Sequence, residues 1–235
     1  MFQLRPANQR GHTQIGWLDS YHTFSFGEYY DPRFMGFGDL RVINDDVVAP
    51  GMGFGMHPHA NMEIVSIVLK GSLEHKDSLG NGDVLKPGDV QKMTAGSGIT
   101  HSEYNPSDSD PVHFLQIWIM PNIQDLKPSW EQKTFDRKMM TDQLTLLVSP
   151  DARDGSMEIH QDAEIWQVLL EENKTTGFDV NAERKVWIQV AEGAITVNDQ
   201  PLVAGDGLAI SGETVNVQIR GIDKLSNVIV FNLRA

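Results

Sequence analysis

Residues 64–93 read IVSIVLKGSLEHKDSLGNGDVLKPGDVQKM. The apolar run at the start has the length of a strand and ends at Gly71, and both the cluster DSLGNGD and the triplet PGD have the composition of turns. Short strands separated by turns continue to Met120. Many short strands at this spacing are typical of antiparallel sandwiches and barrels, so the sequence predicts an all-β fold.

Two segments of this pattern recur in the second half of the chain. VLKGSLE at 68–74 resembles VAEGAIT at 190–196, and DVLKPGDVQKM at 83–93 resembles QPLVAGDGLAI at 200–210. A repeated set of strands and turns indicates a repeated structural unit. We therefore predict two similar antiparallel β-barrels of the jelly-roll type, joined by short helical or irregular connections.

The division between the two barrels is predicted from length and from breaker residues. The chain has 235 residues, enough for two barrels of about 100 residues each. Pro128, Pro150 and the polar run SPDARDGS indicate a connection. We predict an N-terminal barrel at residues 1–125, a connection at 126–160 and a C-terminal barrel at 161–235.

Composition excludes several classes of protein and of site. No cysteine is present, which excludes disulfides and Cys-ligated zinc. The N-terminus lacks the pattern of a secretory signal, and apolar runs such as 117–120 are too short to span a bilayer, so we expect a cytoplasmic protein. A formal net charge of −13 would repel a phosphate backbone, so we expect no nucleic-acid partner. We also expect no membrane partner and a monomeric state.

The segment GMGFGMHPHANMEI, residues 51–64, carries the strongest functional signal. Side chains at positions i and i+2 of a strand face the same way, about 7 Å apart, so His57 and His59 point at one place. His101 and Glu103 form a second such pair in the triplet HSE. Two strands that face each other inside a barrel would bring the two pairs together. The sequence thus predicts a metal site of three imidazoles and one carboxylate.

This donor set also limits the metal. Imidazole and carboxylate ligands suit iron, manganese, cobalt, nickel, copper or zinc better than magnesium or calcium. Four protein ligands on an ion that accepts six leave two positions open, which catalysis requires and a structural site lacks. We expect one divalent transition metal per chain, with iron as the first expectation and the other five as alternatives.

Two motifs and a longer set of stretches carry a family resemblance. G-x5-H-x-H-x3-E, which starts at Gly51, resembles the first cupin motif, and G-x2-H-x3-N, which starts at Gly98, resembles the second. The following stretches together resemble the pirin family: HTFSFGEYYDP, NDD, HPHANMEI, EHKDS, PGDVQKMTAGSGITHSEYNP and QIWIMP. The resemblance covers nearly the whole chain and extends to bacterial pirin-like members, some of which are assigned as quercetin 2,3-dioxygenases.

The resemblance implies a bicupin fold with metal in the N-terminal barrel only. It implies Glu103 as the carboxylate ligand and leaves Glu63, the glutamate of the first cupin motif, outside the ligand set. Two departures from the general cupin pattern accompany it. The spacer between Glu63 and Gly71 is longer than usual by one residue, and Gly96 stands where the second motif usually has proline.

The implied activity is cleavage of the heterocyclic ring of a flavonol such as quercetin by a metal-dependent dioxygenase. The partners would be a small aromatic substrate and dioxygen, and Glu103 would act as the catalytic base that takes the hydroxyl proton of the substrate. The alternative is a metal-containing binding or regulatory module without a primary catalytic role, as some eukaryotic pirins are transcription cofactors. The net charge of −13 leaves no obvious basic face for a nucleoprotein partner.

Other residues have competing interpretations. His75 could orient a ligand, but we interpret it as a surface or edge histidine, and His113 as a packing residue. The second barrel has no HxH or HxE, so no second metal site is expected. Four apolar residues either line a flat pocket for an aromatic substrate or pack in the core: Phe54, Met93, Trp118 and Met120.

Overall fold

The fold is almost entirely β and consists of two barrels. The structure is a computed structural model that describes all 235 residues. The first part of the chain forms these strands: β1 Phe2–Arg5, β2 Gly11–Ile15, β3 Leu18–His22, β4 Leu40–Val48, β5 Gly53–His59, β6 Glu63–Lys70, β7 Leu73–Asp77, β8 Gly82–Leu85, β9 Asp89–Thr94, β10 Ile99–Tyr104, β11 Val112–Ile119 and β12 Ser129–Thr134.

The second part of the chain repeats this arrangement. It forms these strands: β13 Thr145–Ser149, β14 Met157–Glu158, β15 Ala163–Glu171, β16 Thr175–Val180, β17 Arg184–Glu192, β18 Ala194–Val197, β19 Gln200–Val203, β20 Gly207–Ser211, β21 Val215–Gly221 and β22 Leu225–Arg234. The two helical turns, Ala7–Gln9 and Arg153–Gly155, are 3-10 turns of three residues. The structure contains no helix of the length and hydropathy that a membrane span requires.

Each barrel combines a seven-stranded and a four-stranded sheet. The N-terminal sheets have the orders β12-β9-β6-β11-β4-β3-β2 and β5-β10-β7-β8, and the C-terminal sheets have the orders β1-β20-β17-β22-β15-β13-β14 and β16-β21-β18-β19. Strand β4 thus corresponds to β15, β5 to β16, and so on through to β11 and β22. The repeat predicted from sequence is confirmed as a repeated topology, and the fold is a bicupin.

The repeated glycines show why the sequence repeat is visible. Gly71 ends β6 at φ 79° and Gly193 ends β17 at φ 78°, in the left-handed region that other residues adopt at a cost. A Cβ at Gly71 would lie 2.7 Å from the carbonyl oxygen of Pro111, and one at Gly193 would lie 2.8 Å from that of Leu225. At both positions a side chain is therefore disfavoured by the left-handed backbone conformation and by the close approach of a neighbouring carbonyl oxygen.

The sheets do not follow the predicted division of the chain. Strand β1 pairs with β20 in the C-terminal sheet, although it begins at Phe2. Within the predicted connection at 126–160, β12 pairs with β9 of the N-terminal sheet and β13 pairs with β15 of the C-terminal sheet. The connection is therefore partly strand. The N-terminal barrel includes one strand from outside its predicted range, β12, and the C-terminal barrel includes three: β1, β13 and β14. The division at residues 125 and 160 stays a prediction.

The hydrophobic core has three parts. A cluster of 25 buried residues fills the space between the two seven-stranded sheets, with Val65 and Ile117 from one barrel and Ile165 and Phe231 from the other. A second cluster of 15 buried apolar residues fills the C-terminal barrel. The interior of the N-terminal barrel has only two smaller clusters, of 7 and 4 residues. Buried polar side chains occupy the rest of this interior, so a polar site lies inside the N-terminal barrel.

Candidate metal centre

Strands β5 and β10 bring the three predicted histidine ligands together. The two strands pair antiparallel, with the Cα of His101 opposite His57 and the Cα of Ile99 opposite His59. Side chains at alternate positions face the same way, so all three imidazoles point into the barrel. Their ligand nitrogens all lie within 4.8 Å of one another, and the ring centroids are 4.4 to 4.8 Å apart.

The surroundings of His57 and His101 indicate which ring nitrogen of each is available to a metal. Nδ1 of His57 lies 2.7 Å from the carbonyl oxygen of Gly55, and since that oxygen only accepts, Nδ1 carries the proton and Nε2 is free. Nε2 of His101 is buried and has no hydrogen-bond partner in the protein. An unpaired buried polar atom is costly, whereas a coordinated cation would satisfy it. The residues present therefore fit a metal ion.

The charge states also fit. Burial, followed by the neighbouring imidazoles, lowers the pKa of both His59 and His101 to about 3. Both rings are therefore neutral near pH 7, which is the form that binds a metal. Three imidazoles in one place make a nitrogen-rich site that suits a transition metal.

Glu103 lies next to the histidines but is held by the barrel wall. Its carboxylate is buried and accepts hydrogen bonds from Ser66 Oγ at 3.2 Å and from Gln116 Nε2 at 2.6 Å. Burial raises its pKa. Its oxygens lie within 4.8 Å of nitrogens of His75 and His101, so two overlapping groups share His101. The pairing of β10 with β5 shifts register between His101 and Glu103, so that Glu103 lies opposite Phe54.

A cavity of about 380 Å³ opens onto this site. Phe54 and Trp118 contribute apolar wall, and His57, His59 and Glu103 contribute the polar end. Trp118 also packs edge-on against the ring of His59, with centroids 5.0 Å apart. Of the four apolar residues considered from the sequence, Phe54 and Trp118 thus line the cavity, Met93 is buried in the core, and Met120 is exposed.

Comparisons with known proteins identify the family of the chain. Residues 3–119 match the Pirin family, and residues 146–233 match the family described as the quercetinase C-terminal cupin domain. The chain belongs to the pirin family. It is 50% identical over 233 residues to the quercetin 2,3-dioxygenase of Escherichia coli strain K12, with 99% of each chain covered. It is 38% identical over 231 residues to a pirin-like protein of Caulobacter vibrioides, with 98% of this chain and 99% of the relative covered.

A solved pirin structure matches the whole chain. The bacterial pirin YhhW from Escherichia coli, in complex with nickel(II), superimposes with a TM-score of 0.93. The two proteins are 49% identical, and the match covers 100% of this chain and 99% of YhhW.

The C-terminal barrel of this pirin-family chain has an apolar counterpart for every polar group of the site. Strand register gives the corresponding residues. His101 lies opposite His57 in the N-terminal barrel, and Val217 lies opposite Phe178 in the C-terminal barrel. In the same way, Glu103 lies opposite His75, and Ile219 lies opposite Val197. The counterparts of His57, His59, His75, His101 and Glu103 are therefore Phe178, Val180, Val197, Val217 and Ile219. This barrel offers no donor atoms at these positions.

The interpretation of His75 as a surface or edge histidine was wrong. Its strand β7 lies between β10 and β8, its side chain is fully buried, and its ring stacks on Trp130 of β12 with ring centroids 5.5 Å apart. Its Nδ1 lies 3.4 Å from Nδ1 of His101. A signal was present in the sequence, since Leu73, His75 and Asp77 alternate along one strand and the apolar Leu73 marks the inward side.

Glu63, the glutamate of the first motif, faces the space between the barrels. Its buried carboxylate accepts a hydrogen bond from Thr94 Oγ1 at 3.1 Å and lies 3.5 Å from Lys92 Nζ and 3.4 Å from His160 Nδ1. It therefore belongs to a buried ion pair rather than to the histidine group. His113 forms a contact of its own, at 2.6 Å from Asp45.

The sequence analysis missed the wall of the cavity that comes from β3 and β4. Ser20 Oγ donates a hydrogen bond to Asp46, and Nδ1 of His22 lies 2.8 Å from Asn44 Oδ1. All four residues line the cavity. Burial raises the pKa of Asp46 to about 7, against the effect of the Ser20 hydrogen bond. The stretch NDD, residues 44–46, is part of the family resemblance. Only the pairing of β3 with β4 shows that its first and third residues, Asn44 and Asp46, face the site.

Proposed function

We propose that this pirin-family chain is a metal-dependent dioxygenase that opens the heterocyclic ring of a flavonol such as quercetin. The observation that carries the proposal is the unpaired, buried Nε2 of His101, which converges with two further imidazoles at the end of an aromatic-walled cavity. The names of the relatives support the same class of reaction. We further propose that the chain works as a monomer in the cytoplasm.

The proposed metal ligands are His57, His59, His101 and Glu103, which would hold one divalent transition metal. Such an ion would act as a Lewis acid that lowers the pKa of a coordinated hydroxyl group, and a redox-active ion would also supply one-electron chemistry toward dioxygen. Nickel(II) occupies the similar YhhW structure, and iron remains the first expectation here. The nitrogen-rich donor set supports any of the late first-row metals.

The cavity walls would orient a planar substrate. Phe54 packs edge-on against Trp17 at 5.2 Å, and Trp118 packs edge-on against Phe26 at 5.4 Å, so neighbouring rings hold both aromatic walls. Aromatic walls favour a flat aromatic ligand and exclude water from it. The polar groups on β3 and β4 face the same cavity and would bind the hydroxyl groups of a polyphenol.

Glu103 would be the carboxylate that takes the substrate proton. Its raised pKa moves it toward neutral pH, where a general base is most effective. Ser66 and Gln116 hold its two oxygens from behind, so the carboxylate keeps its orientation as its charge changes. The proton would pass to Oε1 or Oε2 of Glu103 and stay in the barrel interior until the product leaves.

The proposal is tested by reconstitution. Purified protein is stripped with a chelator and reloaded with iron, manganese, cobalt, nickel, copper or zinc, and the loss of quercetin is measured together with oxygen uptake. We expect turnover with at least one metal and none in chelated protein. Bound metal with no oxygen uptake for any of the six would refute the dioxygenase and support the metal-containing binding module.

A further inference from the structure

A buried line of three side chains leads away from the metal-facing nitrogen of His101. Nδ1 of His101 lies 3.4 Å from Nδ1 of His75, and Nε2 of His75 lies 3.3 Å from Oδ2 of Asp77. All three side chains are fully buried. We call this line the His101–His75–Asp77 relay.

Asp77 determines which atom donates in each hydrogen bond of the relay. Its Oδ1 accepts from the backbone N–H groups of Leu79 at 2.9 Å and of Asn81 at 3.0 Å, and its Oδ2 accepts from Asn81 Nδ2 at 2.9 Å. A carboxylate held by these donors accepts only, so Nε2 of His75 must donate to it. With the ring proton of His75 on Nε2, its Nδ1 has a lone pair and accepts the Nδ1 proton of His101.

The consequence falls on the other nitrogen of His101. With its proton on Nδ1, a neutral imidazole has its lone pair on Nε2, which is the buried atom without a partner in the protein. The opposite arrangement would put a proton on the nitrogen that faces His57 and His59. The relay and metal binding by the histidine group therefore require the same tautomer of His101, with the proton on Nδ1 and the lone pair on Nε2.

We propose that His75 and Asp77 are positioning residues that hold His101 in the tautomer and orientation needed to bind the metal. This inference rests on the metal site of the proposed function. Hydrogen-bond partners behind a metal-binding histidine raise its basicity and fix its ring. The relay is absent from the C-terminal barrel, where Val197 and Val217 occupy the positions of His75 and His101, so it accompanies the metal-binding donors.

The packing around His75 supports a positioning role. Trp130 stacks on its ring at an angle of 13°, and Glu103 lies opposite it on β10. Trp130 comes from β12, the strand that the N-terminal sheet takes from the predicted connection. His75 cannot rotate away from His101 without losing this stack.

The direct test is the tautomer of each histidine in the wild-type protein loaded with zinc(II). Nitrogen-15 NMR of the imidazoles distinguishes a protonated, an unprotonated and a metal-bound nitrogen. We expect His101 to be protonated at Nδ1 and zinc-bound at Nε2, and His75 to be protonated at Nε2 and free of zinc. A zinc-bound His75, or a His75 protonated at Nδ1, would overturn the proposal.

Variants supply the second readout, the dissociation constant for cobalt(II) measured from its visible spectrum. His75→Phe keeps the stack on Trp130 but removes the acceptor, and we expect affinity to fall about 10- to 100-fold. His75→Gln restores an acceptor oxygen and should recover most of the loss. The matched control is His12→Phe, because His12 also pairs with an aspartate, at 2.6 Å from Asp19, and stacks on an aromatic ring, that of Tyr21.

The outcomes separate this proposal from the one it rests on. If wild-type protein binds neither zinc(II) nor cobalt(II), the metal site itself fails. If wild-type protein binds both and His75→Phe binds cobalt(II) as tightly as His12→Phe, only the relay fails. If His75→Phe does not fold, the nitrogen-15 NMR measurement of the His75 and His101 tautomers in wild-type protein decides whether the relay exists.

Discussion

The imidazole rings of His57 and His101 lie with their centroids 4.4 Å apart, on two strands whose Cα atoms pair directly at these residues. The two residues are far apart in sequence, and backbone pairing of β5 with β10 places them without help from loops. Sites built on paired strands are held more precisely than sites on loops. We therefore expect substitutions here to change metal binding without changing the fold.

Replacement of His101 by alanine should remove most of the bound metal, because it deletes the one ligand nitrogen that is buried and unpaired. Elemental analysis of purified protein measures this loss, and circular dichroism checks that the β fold remains. His113→Ala is the control, since His113 contacts Asp45 and not the histidine group. Full metal occupancy in His101→Ala would refute the ligand assignment.

Metal content should saturate near one ion per chain. The C-terminal barrel has Phe178, Val180, Val217 and Ile219 where the N-terminal barrel has its four proposed ligands, and these side chains carry no donor atoms. Titration with cobalt(II), followed by removal of unbound ion, measures the stoichiometry. A reproducible value of two ions per chain would require a site elsewhere in the protein.

Glu103→Gln should retain metal but lose roughly 10²-fold or more in rate, the usual contribution of a general base. Glutamine keeps the size and one acceptor oxygen but is not basic. The loss should shrink as pH rises toward the pKa of the substrate hydroxyl, since the free anion needs no base. Quercetin loss and oxygen uptake across pH measure it.

Glu63→Gln is the matched control for this experiment, because Glu63 is also a buried glutamate of the N-terminal barrel but faces away from the cavity. Its rate per folded molecule should stay close to that of the wild type. Near wild-type turnover by Glu103→Gln at neutral pH would exclude Glu103 as the base.

Glu63→Gln should instead reduce stability, because it leaves the Lys92 ammonium buried without its carboxylate partner. Breaking a buried ion pair on one side costs about 3–5 kcal/mol. The free energy of unfolding in urea measures the loss. The double variant Glu63→Gln/Lys92→Met removes both charges and should recover much of it, and equal stability of the single and double variants would contradict this account.

Asp46 should make the protein less stable as pH rises toward 8. Its pKa is raised to about 7 by burial, so the folded protein holds a proton there that the unfolded chain has already lost. The stability that this proton contributes is full below the ordinary aspartate pKa and is lost as pH rises through about 7. Asp46→Asn should therefore stabilise chelated protein more at pH 8 than at pH 5, as measured by the urea midpoint.

Asp45→Asn is the control at the neighbouring residue, and its expected effect on stability has the opposite sign to that of Asp46→Asn. Burial raises the pKa of Asp45, but His113 and Arg10 outweigh it and hold the pKa below its usual value. Asp45 is therefore ionised at both pH 5 and pH 8, and its replacement should reduce stability at both. An equal effect of Asp46→Asn on stability at pH 5 and at pH 8 would show that Asp46 is ionised in the folded protein at both and that its pKa is not raised.

Local sequence pattern was sufficient for the strands and for the histidine group. The i, i+2 spacing of His57 with His59, and of His101 with Glu103, depends only on the period of a strand. The glycines that repeat between the barrels mark turns that need a left-handed residue, which is also a local property. These features were therefore accessible without knowledge of strand partners.

Features that depend on which strands pair were not accessible. Asp46 and Ser20 meet only because β3 pairs with β4 across 26 residues of sequence. His75 was misjudged because its burial depends on Trp130, a residue of a strand that the sequence had assigned to a connection. Strand propensity says that a segment is extended but not where it lies in a sheet.

The pairing of β1 with β20 affects how the protein is made. The amino group of Met1 hydrogen-bonds to the carbonyl of Ser211, 210 residues later in the chain. At a synthesis rate of about 5–20 residues per second, the ribosome needs on the order of 10–40 s to produce that partner. Strand β1 thus leaves the ribosome long before its partner β20, and the C-terminal sheet can be completed only after its strand β22 has also been translated.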